Sequence, residues 1–561
     1  MKTINKFIIM DTRVKVILLF AVLLVMPAVS FGQGDHNEQV TIVGTYDPSI
    51  NQAYKINTKP TLPEFNFQTG QFEFQSLDIR QPTRITLKPL KPAAVRVNRK
   101  ETVYNNYLKA GIGSWLTPMV DFVHGSSKKG NHNLNIRLFH ISSYKNIPDY
   151  SPSPFSNTLA AVGYDKTSGK TIISLGAKYE MNTNRYYGFN PDTYPFVNKD
   201  KLKQMFNLIK GNVGFRSNNK KADKFEYDIN LSSYYYFDKY QTTETDVNLD
   251  YDLAKAFKVT RKLDYQHLGA EGVINYSINK DTLNRLNNML ATFIPYFKAR
   301  YGIISFKAGL NFTYLNWDKG HFYFYPILDV NVTLIKEALT LYAGVDGEPV
   351  KNSFLKMSTE NPWVISVVPV SWQNNQFDVY GGFRGNIARS FGFNLKAGWL
   401  KFKNMAFFVN TGDFFGAGPY NKFTVEFDDG SLFTVSGELS YTLKDNLKLW
   451  LSGEYNIYSL DTLAQPWHKP LSIITFGGSY LIAKKVFVWT ELFSYGKRYA
   501  LIKTPYPSQG ILLEGFFDIN LGVTYYITKD LSVFLNGTNL LNWNYERFYN
   551  YPVQGLEIMG G

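Results

Sequence analysis

Cysteine is absent from all 561 residues. That excludes a disulfide framework, a thiolate metal site, a Cys nucleophile and a lipid-modified Cys, and with them a soluble, disulfide-stapled secreted protein. Long apolar runs are equally scarce. Beyond residue 29 no stretch approaches the roughly 18 or more apolar residues that a transmembrane helix needs, so a helical membrane protein is excluded too. Histidine is sparse, and His36, His124, His132, His140, His267, His321 and His468 form neither a His-Glu-x-x-His motif nor a close pair at ligand spacing. The run from Gly163 to Thr171 has a Lys-Thr ending, but one residue too many separates its glycines, and it joins two strands where a phosphate loop must open a helix. No Gly-x-Ser-x-Gly elbow occurs, and acid pairs such as Asp428 and Asp429 sit in loop segments with no partnered base. No enzyme chemistry, metal or cofactor is therefore expected.

What the chain has in abundance is aromatic: 9 Trp, 39 Tyr and 43 Phe, spread with 42 Gly from about residue 104 to the end. The first residues carry an address. Lys2, Lys6, Arg13 and Lys15 precede an uninterrupted apolar run from Val16 to Val29, and Ser30 and Gly32 stand at the small-residue positions before Gln33. Residues 1–32 thus read as a secretory signal peptide. Removing them takes away four basic residues and Asp11, and the formal net charge falls from +14 to +11. That is modest for the length and has no compact basic motif, so nucleic acid is not an expected partner.

Residues 33–103 hold Pro48, Pro60, Pro63, Pro82, Pro89 and Pro92, which interrupt long ladders and helices. Phe65, Phe67, Phe72 and Phe74 alternate around Thr69 and Gly70 like a small hairpin with too little apolar surface to stand alone. This region is expected to be an extended arm, partly inside or beneath the fold formed by residues 104–561, and not a globular domain.

From Tyr104 onward the signal is period-two alternation. Phe517, Ile519, Leu521, Val523, Tyr525 and Ile527 share one face, while Asp518, Asn520, Gly522, Thr524 and Thr528 lie on the other. The register recurs with Phe433, Val435, Leu439 and Tyr441, and again with Phe306, Ala308, Leu310 and Phe312. Twelve such residues span about 40 Å, longer than the common soluble strand. A closed barrel in lipid accounts for long strands with one apolar face, since the polar face lines a wet lumen and every backbone group finds a neighbouring strand. Residues 104–561 are therefore expected to form an all-β, transmembrane antiparallel barrel of about 22 strands (18–24), with outer-membrane lipid around it and both termini on the periplasmic side.

The connections fall into two classes. Short turns are expected at 128–131, 167–169, 336–338, 389–390, 444–446, 484–485 and 529–530, facing the periplasm. Long connections at 187–202, 347–374, 404–430, 460–470 and 498–512 should face the exterior. The last strand, from Gly555 to Met559, starts in register and stops at Gly561, short of the ten or so residues a closing strand needs, as a truncated final strand would. Tyr and Trp gather near strand ends (Tyr234 to Tyr236, Trp317, Tyr323, Tyr325, Trp399, Tyr455, Tyr458, Trp489, Trp543, Tyr545) in the manner of interfacial girdles. Trp363, Trp372 and Trp467 fall in long connections and are the candidate ligand-contacting aromatics.

The C-terminal stretch from Phe517 to Asn542, with its Asn-Leu-Leu-Asn turn, then Tyr545, Tyr551-Pro552 and Gly555, resembles the end of TonB-dependent receptor barrels. The opening run from Tyr104 to Pro118, with His140-Ile-Ser-Ser143 after it, is similar to a set of Bacteroidota outer-membrane proteins of that family. The resemblance implies a Gram-negative outer-membrane location and receptor-like transport of a solute into the periplasm. It also implies a partnership with TonB through a box-like segment at Gln39, Val40, Thr41, Ile42 and Val43. The departure is the plug: only 71 residues precede the first strand, with no recognisable plug motif. The competing expectation is a passive channel or structural barrel whose lumen is filled by the arm or by a partner, such as a plugging or surface lipoprotein.

Overall fold

A computed structural model of the chain describes residues 104–126, 130–218, 225–387, 390–412, 418–443, 446–503 and 508–561. The expected signal peptide, the 33–103 arm with its hairpin, and the segment Gln39 to Val43 lie outside these residues.

The alternation folds as it must when one face meets lipid. In the strand Phe516–Tyr526, Phe517, Leu521 and Tyr525 are exposed on the outside, and Asp518, Asn520 and Gly522 are buried on the inside. Twenty-two antiparallel strands carry this pattern around one closed ring. Each pairs with its neighbour in sequence from Asn106–Gly113 to Val486–Tyr495, and the ring continues through Phe516–Tyr526, Ser532–Thr538 and Glu557–Gly560. Strands begin at His132, Thr171, Phe391, Leu447 and Val486, where the alternation places them. The last strand is short, as the sequence indicates. Its four residues nonetheless pair on both sides, with Ser532–Thr538 and, through Ile112 opposite Gly560 and Gly113 opposite Met559, with the first strand. The ring closes there through these two pairs, and, among the described residues, Asn106 to Gly111 of the first strand have no pairing on the seam side.

The luminal face is braced by aromatic rings laid over glycines of the adjoining strand, a device that fills the gap a missing side chain leaves. A Cβ built on Gly522 would stand 1.8 Å from Trp489 Nε1, and one on Gly477 would stand 2.1 Å from the Trp450 ring. Tyr296 covers Gly269 and Tyr380 covers Gly344 in the same way.

The expected connection 347–374 is present in shortened form as 353–370, between Leu339–Asn352 and Ser371–Ile387. Two others are corrected: within 498–512 the strands Arg498–Lys503 and Gln509–Leu513 pair with each other, and 404–430 is mostly strand, because Phe391–Thr411 and Lys422–Leu443 leave only 412–421. The polar residues that read as loop serve a bulge between Phe402 and Met405. Asn404 takes φ 60° there, donates its Nδ2 to the Trp372 carbonyl (2.9 Å), and its backbone N–H reaches Asp429 Oδ1 (2.8 Å). Asp428 accepts from the N–H groups of Thr462 (3.0 Å) and Leu463 (2.8 Å). At about 3.3 Å per residue a 21-residue strand runs to about 70 Å, far beyond the ~25 Å apolar band, so this ribbon rises past the membrane. It is covered on both faces there. Phe407 and Val409 pack with Trp467, while Phe408, Phe423 and Val425 enter the largest apolar cluster.

The girdle reading is corrected in part, because successive residues of a strand point to opposite sides. Tyr235, Trp399, Tyr455 and Trp543 are exposed outside. Tyr236, Tyr325 and Tyr545 are buried, with their hydroxyls bonded to Ser358, Asn374 and Asp518, and Trp489 faces Gly522 in the lumen.

Candidate functional site

The largest buried apolar cluster lies across the barrel mouth at the long-connection end and not between layers of sheet. It joins Phe206, Leu208 and Tyr236 of the sixth and seventh strands of the ring to Phe408, Phe423 and Val425 of the fifteenth and sixteenth. Strands nine places apart in a ring of 22 are nearly opposite, so the cluster spans the lumen.

The crossing piece is 353–370. Ser353 caps the short helix Phe354–Glu360 through its hydroxyl and the Lys356 N–H (3.0 Å), and Phe354 packs between Phe206 and Tyr236. Glu244, fully buried, presents its carboxylate to the Phe354 N–H (2.8 Å) and accepts the Tyr234 hydroxyl (2.7 Å). Beyond the helix the backbone crosses to the other wall, where Val364 forms a parallel bridge with Phe423, the Ile365 N–H donates to the Phe423 carbonyl (2.8 Å), and the Phe423 N–H donates to the Trp363 carbonyl (3.0 Å). The far end is tied down through polar bonds: Ser366 donates to the Asp238 carboxylate, which also accepts Gln204 Nε2 (2.9 Å), and Thr242 Oγ1 donates to the Ser366 carbonyl (2.8 Å).

Two loops complete the cap. From 186–202, the Tyr186 hydroxyl donates to the Val364 carbonyl and Tyr187 donates to the Pro552 carbonyl, both at 2.8 Å. From 539–556, Tyr551 stacks on Trp363 with ring centres 3.8 Å apart. His468 closes the side against Phe423 and Phe548. Its Nδ1 meets the Phe408 carbonyl (2.9 Å) and its Nε2 accepts the Tyr549 N–H (3.4 Å), an arrangement for a neutral ring with its proton on Nδ1. Burial accordingly pulls its pKa down to about 3. Beside it, burial disfavours the Lys469 ammonium, but the Glu360 carboxylate at 2.7 Å outweighs that and raises its pKa.

Below the cap the inner wall is polar and charged. Arg137 grips Asp121 with two bonds of 3.0 Å, Lys351 meets Asp246 at 2.7 Å and Lys307 meets Glu271 at 2.5 Å. Asp346 stands directly opposite Asp378, an acidic pair on the same wall. Among the described residues no three His, Asp or Glu side chains come together to hold a metal.

Solved structures share the barrel. The pyoverdine outer membrane receptor FpvA from Pseudomonas aeruginosa PAO1, bound to pyoverdine, superposes with a TM-score of 0.58 at 13% identity, over 82% of this chain and 79% of that one. The siderophore receptor PirA from Acinetobacter baumannii gives 0.61 at 10%, over 82% and 80%, and the copper transporter OprC gives 0.57 at 12%, over 81% and 79%. The fold is that of outer-membrane receptor barrels. Identities this low speak for the fold alone, and no protein-family model and no curated sequence matches the chain.

The three candidate tryptophans sit in three separate places. Trp363 (4% exposed) belongs to the cap, with its indole N–H on the Arg185 carbonyl (3.1 Å). Trp372 (5%) packs with Leu290 and Leu315, and Trp467 (6%) covers the tall ribbon. The structure does not bring them together and leaves none on an open surface. Sequence reasoning missed Glu244, Gln204, Asp238 and His468. Only Glu244 carried a signal, as an acid just inside a strand end, and nothing local tied it to a helix more than a hundred residues away.

Proposed function

We propose that the chain is a receptor-type outer-membrane transporter, which admits a solute too large for general porins into the periplasm with energy supplied through TonB. The observation that carries this reading is the wall-to-wall cap over a charged lumen. A passive pore needs an open mouth, whereas a gated receptor needs one that a ligand or an inner partner opens, and the likeness to receptor and transporter barrels supports the second. In this reading Gln39 to Val43 add a strand to TonB, and the 33–103 arm occupies the lumen from the periplasmic side, a place a plugging partner would otherwise fill. Trp363, Trp372 and Trp467 meet ligand only when the cap loosens.

Single-channel conductance tests the reading on four proteins: the full chain, the chain without 33–103, the chain with 353–370 replaced by a short Gly/Ser linker, and the double variant. The first is expected to stay closed and the double variant to give a steady, large pore. Steady large conductance from the full chain would make it a passive channel. Deletion of residues 39–43 from the full chain is expected to abolish energised uptake while leaving its conductance unchanged.

A further inference from the structure

The two rims of the barrel differ in how far their basic charge is offset. At the short-turn end Lys170, Lys258, Lys262, Lys336, Lys484 and Lys529 are exposed, and the exposed acids Asp264, Glu337 and Asp530 are outnumbered. The opposite rim is basic as well, with Lys145, Lys203, Lys239, Lys280, Arg285 and Lys503 exposed besides Lys199, Lys201, Lys319 and Lys497, but the exposed Asp149, Asp192, Asp200, Asp318, Asp461 and Glu514 offset a larger share of that charge.

A second observation says what the short-turn rim faces. Its lysines are set among exposed apolar side chains that no protein group covers: Phe257 and Val259 flank Lys258, Leu334 and Ile335 precede Lys336, Ile482 precedes Lys484, and Ile527 and Leu531 bracket Lys529. These apolar residues continue the outer belt to its edge. A turn that puts a Lys beside an exposed Ile or Leu at the belt's edge lies where acyl chains give way to head groups, with the ammonium reaching outward from the apolar layer.

We infer that the short-turn rim is a binding ring for anionic glycerophospholipid, with its lysines on the head-group phosphates of the leaflet at that end. The attraction is Coulombic and spread over many turns, so it needs no pocket, discriminates by head-group charge, and weakens as salt rises. It holds the barrel at a fixed depth and tilt, and it recruits a shell of acidic lipid around the wall.

The test uses the full chain reconstituted in vesicles of phosphatidylcholine with 30 mol% phosphatidylglycerol, the mol% chosen as roughly that of an acidic bilayer. Spin-labelled phosphatidylglycerol and phosphatidylcholine report the motionally restricted lipid at the protein surface. The wild type is expected to prefer the acidic label by about threefold or more, with the preference falling at high salt. The variant Lys258→Gln, Lys336→Gln, Lys484→Gln, Lys529→Gln should fall toward no preference. The matched variant Lys199→Gln, Lys201→Gln, Lys319→Gln, Lys497→Gln, with the same loss of charge at the other rim, should keep it. All eight side chains are exposed, so both variants should fold, and heat-modified mobility on gels checks this. Equal binding of the two labels by the wild type would overturn the inference, and so would equal loss in both variants, because net charge would then suffice. An acidic protein as the true occupant of this rim would give the first of those results.

Discussion

A buried carboxylate at the end of a short helix decides whether the cap holds. In Glu244→Ala the Phe354 N–H and the Tyr234 hydroxyl lose their acceptor inside the protein, at a cost of about 2–4 kcal/mol. The expected result is faster amide exchange over 354–360 with the strand ladders unchanged; unchanged exchange there would show that the apolar packing of Phe354 is sufficient. His468 gives the cap a pH dependence. Its pKa in the folded chain, about 3, lies below the ordinary 6.5, so the folded state resists the proton that the unfolded chain accepts. Its contribution to stability is whole above about 6.5 and is lost progressively as pH falls toward 3. The protection of cap amides relative to their intrinsic exchange rate is expected to be lower at pH 4 than at pH 7, and His468→Gln should remove the part of that loss due to this ring. In the wall, Gly522→Val forces a side chain into Trp489 and should cost about 1–3 kcal/mol, seen as a lower folded fraction on gels. Pairing it with Trp489→Ala should restore most of the loss.

At the scale of elements, strands were legible and their upper limits were not. Period-two alternation marks any strand with one face in lipid, and it located His132, Thr171 and Phe391 as starts. It fails where both faces are covered. Phe407, Phe408 and Val409 are consecutive and all buried, because the 461–471 connection and the cap take one side each, and alternation has nothing to report there. Asn404, Asp428 and Asp429 are turn-forming residues by type, and only the structure reveals that they stitch a bulge to neighbouring backbone. The cap escaped notice for a related reason: its parts lie at 186–202, 353–370 and 539–556, and no local pattern links them. Asn404→Ala tests the bulge. It removes the bond to Trp372 and places a side chain without a polar tip at φ 60°, so a loss of about 1–2 kcal/mol and quicker proteolytic cleavage within 404–430 are expected.

For the whole molecule, the seam is the thin place in the ring. The first and last strands share two residue pairs, whereas Leu447–Leu460 meets Lys422–Leu443 from Leu443 down to Gly430. Since the chain has no cysteine, a single engineered bridge there has no competing thiol. Ile112→Cys with Gly560→Cys, residues directly opposite each other, is expected to raise the melting temperature in detergent when oxidised. An equivalent bridge between Leu290 and Leu315, inside a long ladder, should change it little.

The same seam sets an order in time. The other antiparallel ladders of the ring join strands near in sequence, but Ile112 and Gly560 lie more than four hundred residues apart, and their meeting is the most nonlocal pairing in the ring. Until it happens the sheet exists as an open curl with two long rows of unpaired amides and carbonyls, which lipid cannot satisfy and which another copy can. Yield of the finished barrel is therefore a race between that last encounter and edge-to-edge association, and dilution or a helper that shields the two edges should favour the ring.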